Sequence, residues 1–198
     1  LAALYGVLAW QLWPRARYAA LARVHAVLAV GFATLAIPLA LSASSTACAF
    51  ALEGAGLVWL GVRQQRRLPQ WTGFALQLAA AAAWLLATMF FSVLGHRAMV
   101  NVGFASGMVL ALAGFAMAWV LWQANTYKAA GMAYAWGLLW WLAIGLREID
   151  LFAPAHWQAG ATLMWLGLTG WLASEWNARR ASVMLSGTAM AGLVVAFP

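Results

Sequence analysis

Glu53 is the residue of this chain whose setting most directly suggests chemistry. It interrupts the apolar segment Ala51-Leu-Glu-Gly-Ala-Gly-Leu-Val-Trp-Leu-Gly61. At 1.5 Å per helical residue it lies about 9 Å beyond Ala47 and about 15 Å before Arg63. An acid this far inside an apolar run is expected to be protonated, to be hydrogen-bonded, or to bind a proton or a cation.

A second group of ionisable residues lies in two short polar segments. The first segment holds His96 and Arg97, and the second holds Arg147, Glu148, Asp150 and His156. If the segments meet, the two acids and two histidines could bind a divalent cation or act as acid and base. No spacing among them is a recognised ligand motif, so solvated charges and mutual ion pairs are the alternative. We predict no resident metal or cofactor.

The composition excludes an ordinary water-soluble domain. Of the 198 residues 66% are hydrophobic and 8% are charged, against about 25% charged residues in soluble proteins. The net charge of +7 does not indicate nucleic-acid binding, because such a chain has no free basic surface. The single cysteine, Cys48, excludes an intrachain disulfide. The sequence has no GxGxxG, Walker, HExxH or GxSxG motif, so nucleotide-driven pumping, zinc proteolysis and serine hydrolysis have no residues to use in this segment. We assign no catalytic residue and favour a non-enzymatic protein, with an enzyme as an open alternative.

The hydropathy pattern predicts an all-α, polytopic transmembrane bundle of about eight spans. The predicted spans are 1–13, 20–41, 46–62, 71–94, 100–122, 129–147, 157–175 and 181–197. Backbone groups in lipid must pair within their own segment or barrel, and the Ala-, Leu- and Gly-rich runs favour helices. We expect residues 1–198 to be a single transmembrane region from a larger membrane protein, with the first and last spans truncated.

The distribution of Lys and Arg predicts the orientation. Alternate connections, starting with the first, hold nine basic residues: Arg15, Arg17, Arg23, Arg63, Arg66, Arg67, Lys128, Arg179 and Arg180. The other connections hold only Arg97 and Arg147. The positive-inside rule then places the basic connections in the cytoplasm and both ends of the segment in the periplasm of a bacterial inner membrane.

Depth along the predicted spans places three hydroxyl residues level with Glu53, close to the bilayer midplane. They are Thr34, Ser106 and Thr162. Because an acid at a helix centre raises the insertion free energy by roughly 2.5 to 3.5 kcal/mol, Glu53 should face other helices. The four residues are therefore our candidates for an ion- or proton-binding site, and an interhelical hydrogen-bond clamp is the structural alternative.

The residues around Glu53 resemble a family of large bacterial multi-pass inner-membrane proteins classed as a domain of unknown function. The similarity is carried by Ile37-Pro-Leu-Ala-Leu41, the segment from Ala51 to Leu68 with its Arg-rich turn, Gly73-Phe-Ala-Leu-Gln77, and the helix opened by Asn101. Where the family has an aromatic-rich connection before the acidic helix, this chain has Ser42-Ala-Ser-Ser-Thr-Ala47. The resemblance implies a longer parent protein and a signature acid at Glu53, and it implies no activity.

Three hypotheses about function follow from these features. The first is a structural or assembly module of the bacterial envelope, whose partners are the lipid bilayer and the remaining helices of the parent protein. The second is a secondary transporter or ion-coupled module that uses Glu53. The third is an integral-membrane enzyme that uses His96, Glu148, Asp150 and His156 at the outer face.

Overall fold

The computed structural model describes residues 2–13, 18–22, 24–26, 28–29, 42–90, 97–179 and 183–196. Seven helices occupy most of these ranges. They are α1 (Ala2–Leu12), α2 (Ala43–Arg63), α3 (Arg67–Phe90), α4 (Val102–Gln123), α5 (Tyr127–Phe152), α6 (Ala155–Arg179) and α7 (Val183–Ala196). Residues 19–22, 24–26 and 28–29 are also helical, and the described part of the chain contains no strand. The all-α prediction is confirmed, although most of the predicted span 20–41 lies outside the described residues.

Four of the helices, α2 to α5, are long and apolar enough to cross a membrane. The shortest, α2, has 21 residues, and a span requires roughly 20. These four helices match the predicted spans 46–62, 71–94, 100–122 and 129–147 to within a few residues at most ends. The chain is therefore a membrane protein built as a helical bundle.

The end of α5 differs from the prediction. The helix continues to Phe152, so that Arg147, Glu148 and Asp150 lie in its last turns and not in a connecting loop. It ends where Ala153 adopts an extended backbone, with φ −83° and ψ 133°. The residue before a proline is driven out of the helical region by the proline ring, and Pro154 is the next residue. The helix therefore ends at this proline and not at the first charged residue.

The helices are arranged as three consecutive hairpins, α2 with α3, α4 with α5, and α6 with α7. The first two hairpins pack together mainly through α2 and α4, whereas the third contacts the rest mainly through α5 and α6. One core cluster joins Phe50 of α2 to Trp84 of α3, Leu110 of α4 and Ile144 of α5. The first two hairpins therefore form the closely packed part of the molecule.

The turns of the first and second hairpins have the same backbone geometry. Gln65 and Asn125 have positive φ angles of 54° and 57°. In each turn the next residue reaches back over the helix end: the N–H of Arg66 donates to Gly61 and the N–H of Thr126 donates to Leu121, at 2.9 and 3.0 Å. This six-residue bond is the Schellman helix ending, which pairs carbonyls that the helix leaves open.

Glycine residues allow the backbones of α2 and α3 to come into direct contact. A Cβ atom on Gly54 would lie 2.7 Å from the carbonyl oxygen of Gly73, and a Cβ on Gly73 would lie 2.5 Å from the carbonyl oxygen of Gly54. Gly114 and Gly137 make the equivalent contact between α4 and α5. In lipid the hydrophobic effect does not drive helices together. Small residues at such crossings promote helix association because they allow close van der Waals packing of the two backbones.

The crossing of α2 and α3 gives a matched pair of glycine substitutions. We expect Gly54→Ala to lower the melting temperature of the purified protein by several degrees, since its Cβ has no space against Gly73 and overpacking costs about 1 to 3 kcal/mol. Gly56→Ala is the control, because its Cβ would meet no atom within 4 Å. We expect it to be neutral or slightly stabilising, as alanine is the better helix former. Equal melting temperatures for the two variants would contradict this packing.

Candidate functional site

Glu53 lies on the exposed face of α2. The opposite face of this helix is buried through Ala51, Gly54 and Val58. Successive helical residues are separated by about 100° around the helix axis. When Ala51, Gly54 and Val58 face the bundle, Glu53 therefore points away from it. The expected contact between Glu53 and a neighbouring helix is not formed by the described part of the chain.

Of the three hydroxyl residues predicted at the same depth, the two that the structure describes, Ser106 and Thr162, are not joined to Glu53. Ser106 is buried in α4, where its hydroxyl donates to the carbonyls of Val102 (2.6 Å) and Gly103 (3.2 Å) in its own helix. Thr162 is half-buried in α6, which packs against α5 and α7. Thr34 lies outside the described residues. The structure shows no hydrogen bond among Glu53, Ser106 and Thr162.

Gln77 is the polar side chain that does connect helices at the centre of the bundle. It is only 2% exposed. Its Nε2 donates to the carbonyl of Ala51 in α2 at 2.9 Å, and its Oε1 accepts from the indole of Trp136 in α5 at 3.4 Å. Gly54 leaves the necessary space, since a Cβ there would lie 3.4 Å from both Cγ and Nε2 of Gln77. Gln77 therefore holds α2, α3 and α5 together.

Glu148 is the most deeply buried acid of the described chain, with 3% of its surface exposed. Its two carboxylate oxygens accept from the Asn101 amide at 2.9 and 3.1 Å, and one of them also accepts from the Met99 N–H at 2.9 Å. Asn101 in turn caps α4 by accepting from the Phe104 N–H at 2.7 Å. A chain of hydrogen bonds thus ties the last turns of α5 to the first turn of α4.

Met99 and Trp84 complete the environment of this acid. Met99 has a positive φ of 59°, an uncommon conformation for a residue with a side chain, and it aims its N–H at Glu148. The Trp84 indole donates to the carbonyl of Gly103 at 3.0 Å, and the guanidinium of Arg147 lies 5.5 Å from the Trp84 ring centre. We refer to this arrangement, in which Met99 and Asn101 donate to the two oxygens of Glu148, as the Glu148 cap.

Asp150 and His156, the other described members of the predicted outer cluster, form no metal-binding group with Glu148. Asp150 and His156 are exposed, and His156 lies against the ring of Trp157. His96 is outside the described residues. No group of three or more His, Cys, Asp or Glu side chains within the described ranges could hold a metal ion.

The pairing of Asn101 with Glu148 was missed by the sequence analysis, which grouped Glu148 with charged loop residues. A signal for it exists in the sequence. In a two-helix hairpin, residues equally far from the turn lie side by side, and Asn101 and Glu148 are nearly equidistant from Asn125. Gln77 and Asn101 both make the interhelical hydrogen bonds that are typical of an isolated amide in a membrane helix.

Long apolar helices, backbone crossings at glycine and internally bonded polar side chains define an integral membrane protein of the helical-bundle class. The chain belongs to the family described as Predicted membrane protein (DUF2339), which matches residues 1–197. Comparison with curated proteins and with solved structures gives no match. The resemblance noted in the sequence, to an uncharacterised family of membrane proteins, is thus confirmed.

The Glu148 cap predicts a measurable coupling between two helices. We expect Asn101→Ala and Glu148→Ala each to lower the unfolding free energy, and the double variant to lose less than their sum, because each deletion already breaks the shared bonds. The coupling should be about 1 kcal/mol, within the range of interhelical hydrogen bonds in membranes. The measurement is thermal or denaturant unfolding of the purified protein.

Asp150→Ala is the matched control for this cycle, since Asp150 is an acid on the same helix but exposed. Its effect should add to that of Asn101→Ala. A coupling of the same size for Asp150 as for Glu148 would show that the cycle measures general charge effects and not the cap.

Proposed function

We propose that this membrane region is a non-enzymatic assembly module, whose α2 surface around Glu53 binds a further transmembrane helix that presents a hydrogen-bond donor. The observation that carries the proposal is the placement of Glu53. It faces outward from the bundle, whereas Gln77, Asn101 and Glu148 are buried and bonded inside it.

The energetics of lipid exposure support a polar partner for Glu53. A charged side chain at a helix centre costs roughly 2.5 to 3.5 kcal/mol on the insertion scale, and intramembrane acids generally pair with other groups or face water. A donor on an adjacent helix would remove part of that cost. Gln77 and Glu148 are satisfied in the same way inside the bundle.

The shape of the surface suits a helix. Glu53, Gly56 and Leu60 follow each other at the three- and four-residue spacing of one helix face, and all three are exposed. No atom lies within 4 Å of a Cβ built on Gly56. The gap beside Glu53 would let the backbone of a second helix approach closely.

The other two hypotheses have less support from the geometry. A transporter that uses Glu53 requires a water-filled cavity shared with hydroxyl residues, and the cavity between the second and third hairpins is lined by other residues. An outer-face enzyme requires free acid and histidine side chains close together. Glu148 is instead engaged by Met99 and Asn101.

The distribution of charge supports a bacterial inner membrane as the location, with the basic end of the bundle in the cytoplasm. The turns 64–66 and 124–126 lie at the same end, because Val58 of α2 shares a core cluster with Leu121 of α4 and Ala130 of α5. Arg66 and Lys128 are therefore at one end of the molecule, as the alternating count of basic residues requires.

Site-specific photocrosslinking in membranes tests the assembly proposal. A photoreactive residue at Leu52 or Leu60 of the full-length protein should form a discrete adduct with a transmembrane helix that has a polar residue near its centre. Leu78, which is exposed on α3 to the same degree as Leu52, at 62% each, is the control and should give no such adduct. Glu53→Leu should abolish the adduct, while Glu53→Gln should retain it, because its amide oxygen still accepts a hydrogen bond.

Two results would contradict the proposal. The first is crosslinking of Leu52 and Leu60 to lipid alone, with no change on Glu53→Leu. The second is cation or proton flux in liposomes containing the purified protein that Glu53→Gln abolishes without changing the melting temperature, which would favour transport.

A further inference from the structure

A cavity of about 750 Å³ lies between the second and third hairpins. Its walls come from α4, α5, α6 and α7. A volume of this size is within the range of about 300 to 1,000 Å³ found for small-molecule sites. Leu112 and Trp176 line it and are 58% and 55% exposed, so the cavity opens at the side of the bundle, where lipid would lie.

The walls favour a hydrocarbon ligand. Apart from Tyr134 and Thr169, the lining side chains are aliphatic or aromatic. The Tyr134 hydroxyl donates to Thr188 at 3.0 Å. The Thr169 hydroxyl donates to the Trp165 carbonyl at 2.8 Å and accepts from the Trp141 indole at 3.0 Å. Both hydroxyls hold the hairpins together and are already bonded, so the cavity has little to offer a polar molecule.

The contacts that join the hairpins explain why the space exists. Trp141 and Trp165 stack at 4.8 Å with an angle of 17° between their rings, and Gly145 lies directly against Trp165. Nearer the basic end, Trp119 and Trp176 meet edge to face at 5.9 Å. These large rings hold α6 away from α4, and no small-residue crossing like that of Gly54 and Gly73 closes the gap.

The position of the cavity favours a negatively charged headgroup. Its lining includes Trp122 and Ala130, on either side of the turn 124–126. Lys128 follows that turn and is exposed. The last turns of α6 reach the same end, since Trp176 of this helix meets Trp119 of α4 there. Basic pockets between membrane helices bind anionic lipid headgroups, and tryptophan is enriched at headgroup level.

We propose that this cavity binds an acyl chain of an anionic phospholipid, whose headgroup is held by Lys128. The lipid would fill the space between the second and third hairpins and connect them. The site lies between the second and third hairpins, whereas Glu53 lies on the first hairpin. The inference therefore does not depend on the proposed helix partner.

The test is native mass spectrometry of the purified full-length protein with added phosphatidylglycerol or phosphatidylcholine. We expect retained phosphatidylglycerol in the wild type and a several-fold loss in Ala116→Phe, which places a ring in the cavity from an exposed wall position. Ala82→Phe is the control, since Ala82 is exposed on α3 and outside the lining. If Ala116→Phe fails to fold, Leu112→Trp fills the same mouth.

The headgroup has its own pair of variants. Lys128→Gln should reduce the preference for phosphatidylglycerol over phosphatidylcholine about 5-fold, since one basic residue contributes about 1 kcal/mol. Arg66→Gln removes an exposed charge from the other turn at the same end and should leave the preference unchanged. Equal lipid retention by Ala116→Phe and Ala82→Phe would overturn the cavity as the site, and equal binding of the two lipids by the wild type would overturn the anionic headgroup.

Discussion

Lipid offers no hydrogen bonds to a protein, and this constraint governs most of what is seen in the structure. Helices satisfy the backbone within each span, and the Schellman bonds at Arg66 and Thr126 pair carbonyls at two helix ends. Gln77, Asn101 and Glu148 find their partners on neighbouring helices. These three side chains follow the same rule as the backbone, whereas the hydroxyl of Thr46 and the indole N–H groups of Trp140 and Trp165 are buried without a hydrogen bond in the described part of the chain.

Close backbone approach makes this pairing possible. At the crossing of α2 and α3, glycine at positions 54 and 73 brings the two chains together, and Gln77 can then reach the Ala51 carbonyl. The residues Ala51, Gly54, Gly73 and Gln77 belong to two of the four segments through which the sequence resembles its family. Their role in the structure is helix packing, and it is independent of the acid between them. Glu53 shares the motif but faces the other way.

Two features of the described chain are left without a partner of their own. Glu53 is an acid on an outer face, and the cavity between the second and third hairpins is apolar space that the helices do not fill. The first suits a polar helix partner and the second suits an acyl chain. The assembly role and the lipid site that we propose rest on these two features.

The helical class and most span limits could be read from the sequence, because hydropathy and the absence of charge act locally along the chain. Pro154, not the first charged residue, ended α5. The face of each helix that would be buried could not be read, since Ala and Gly occur all around α2 and give no single apolar stripe. Tertiary packing decided that Gly54 faces α3 while Glu53 faces outward, and that Glu148 is buried while Asp150 is exposed. Which residues are buried depends on which backbones approach closely. Residues that are near neighbours in the sequence, and have the same local sequence environment, can therefore differ in burial.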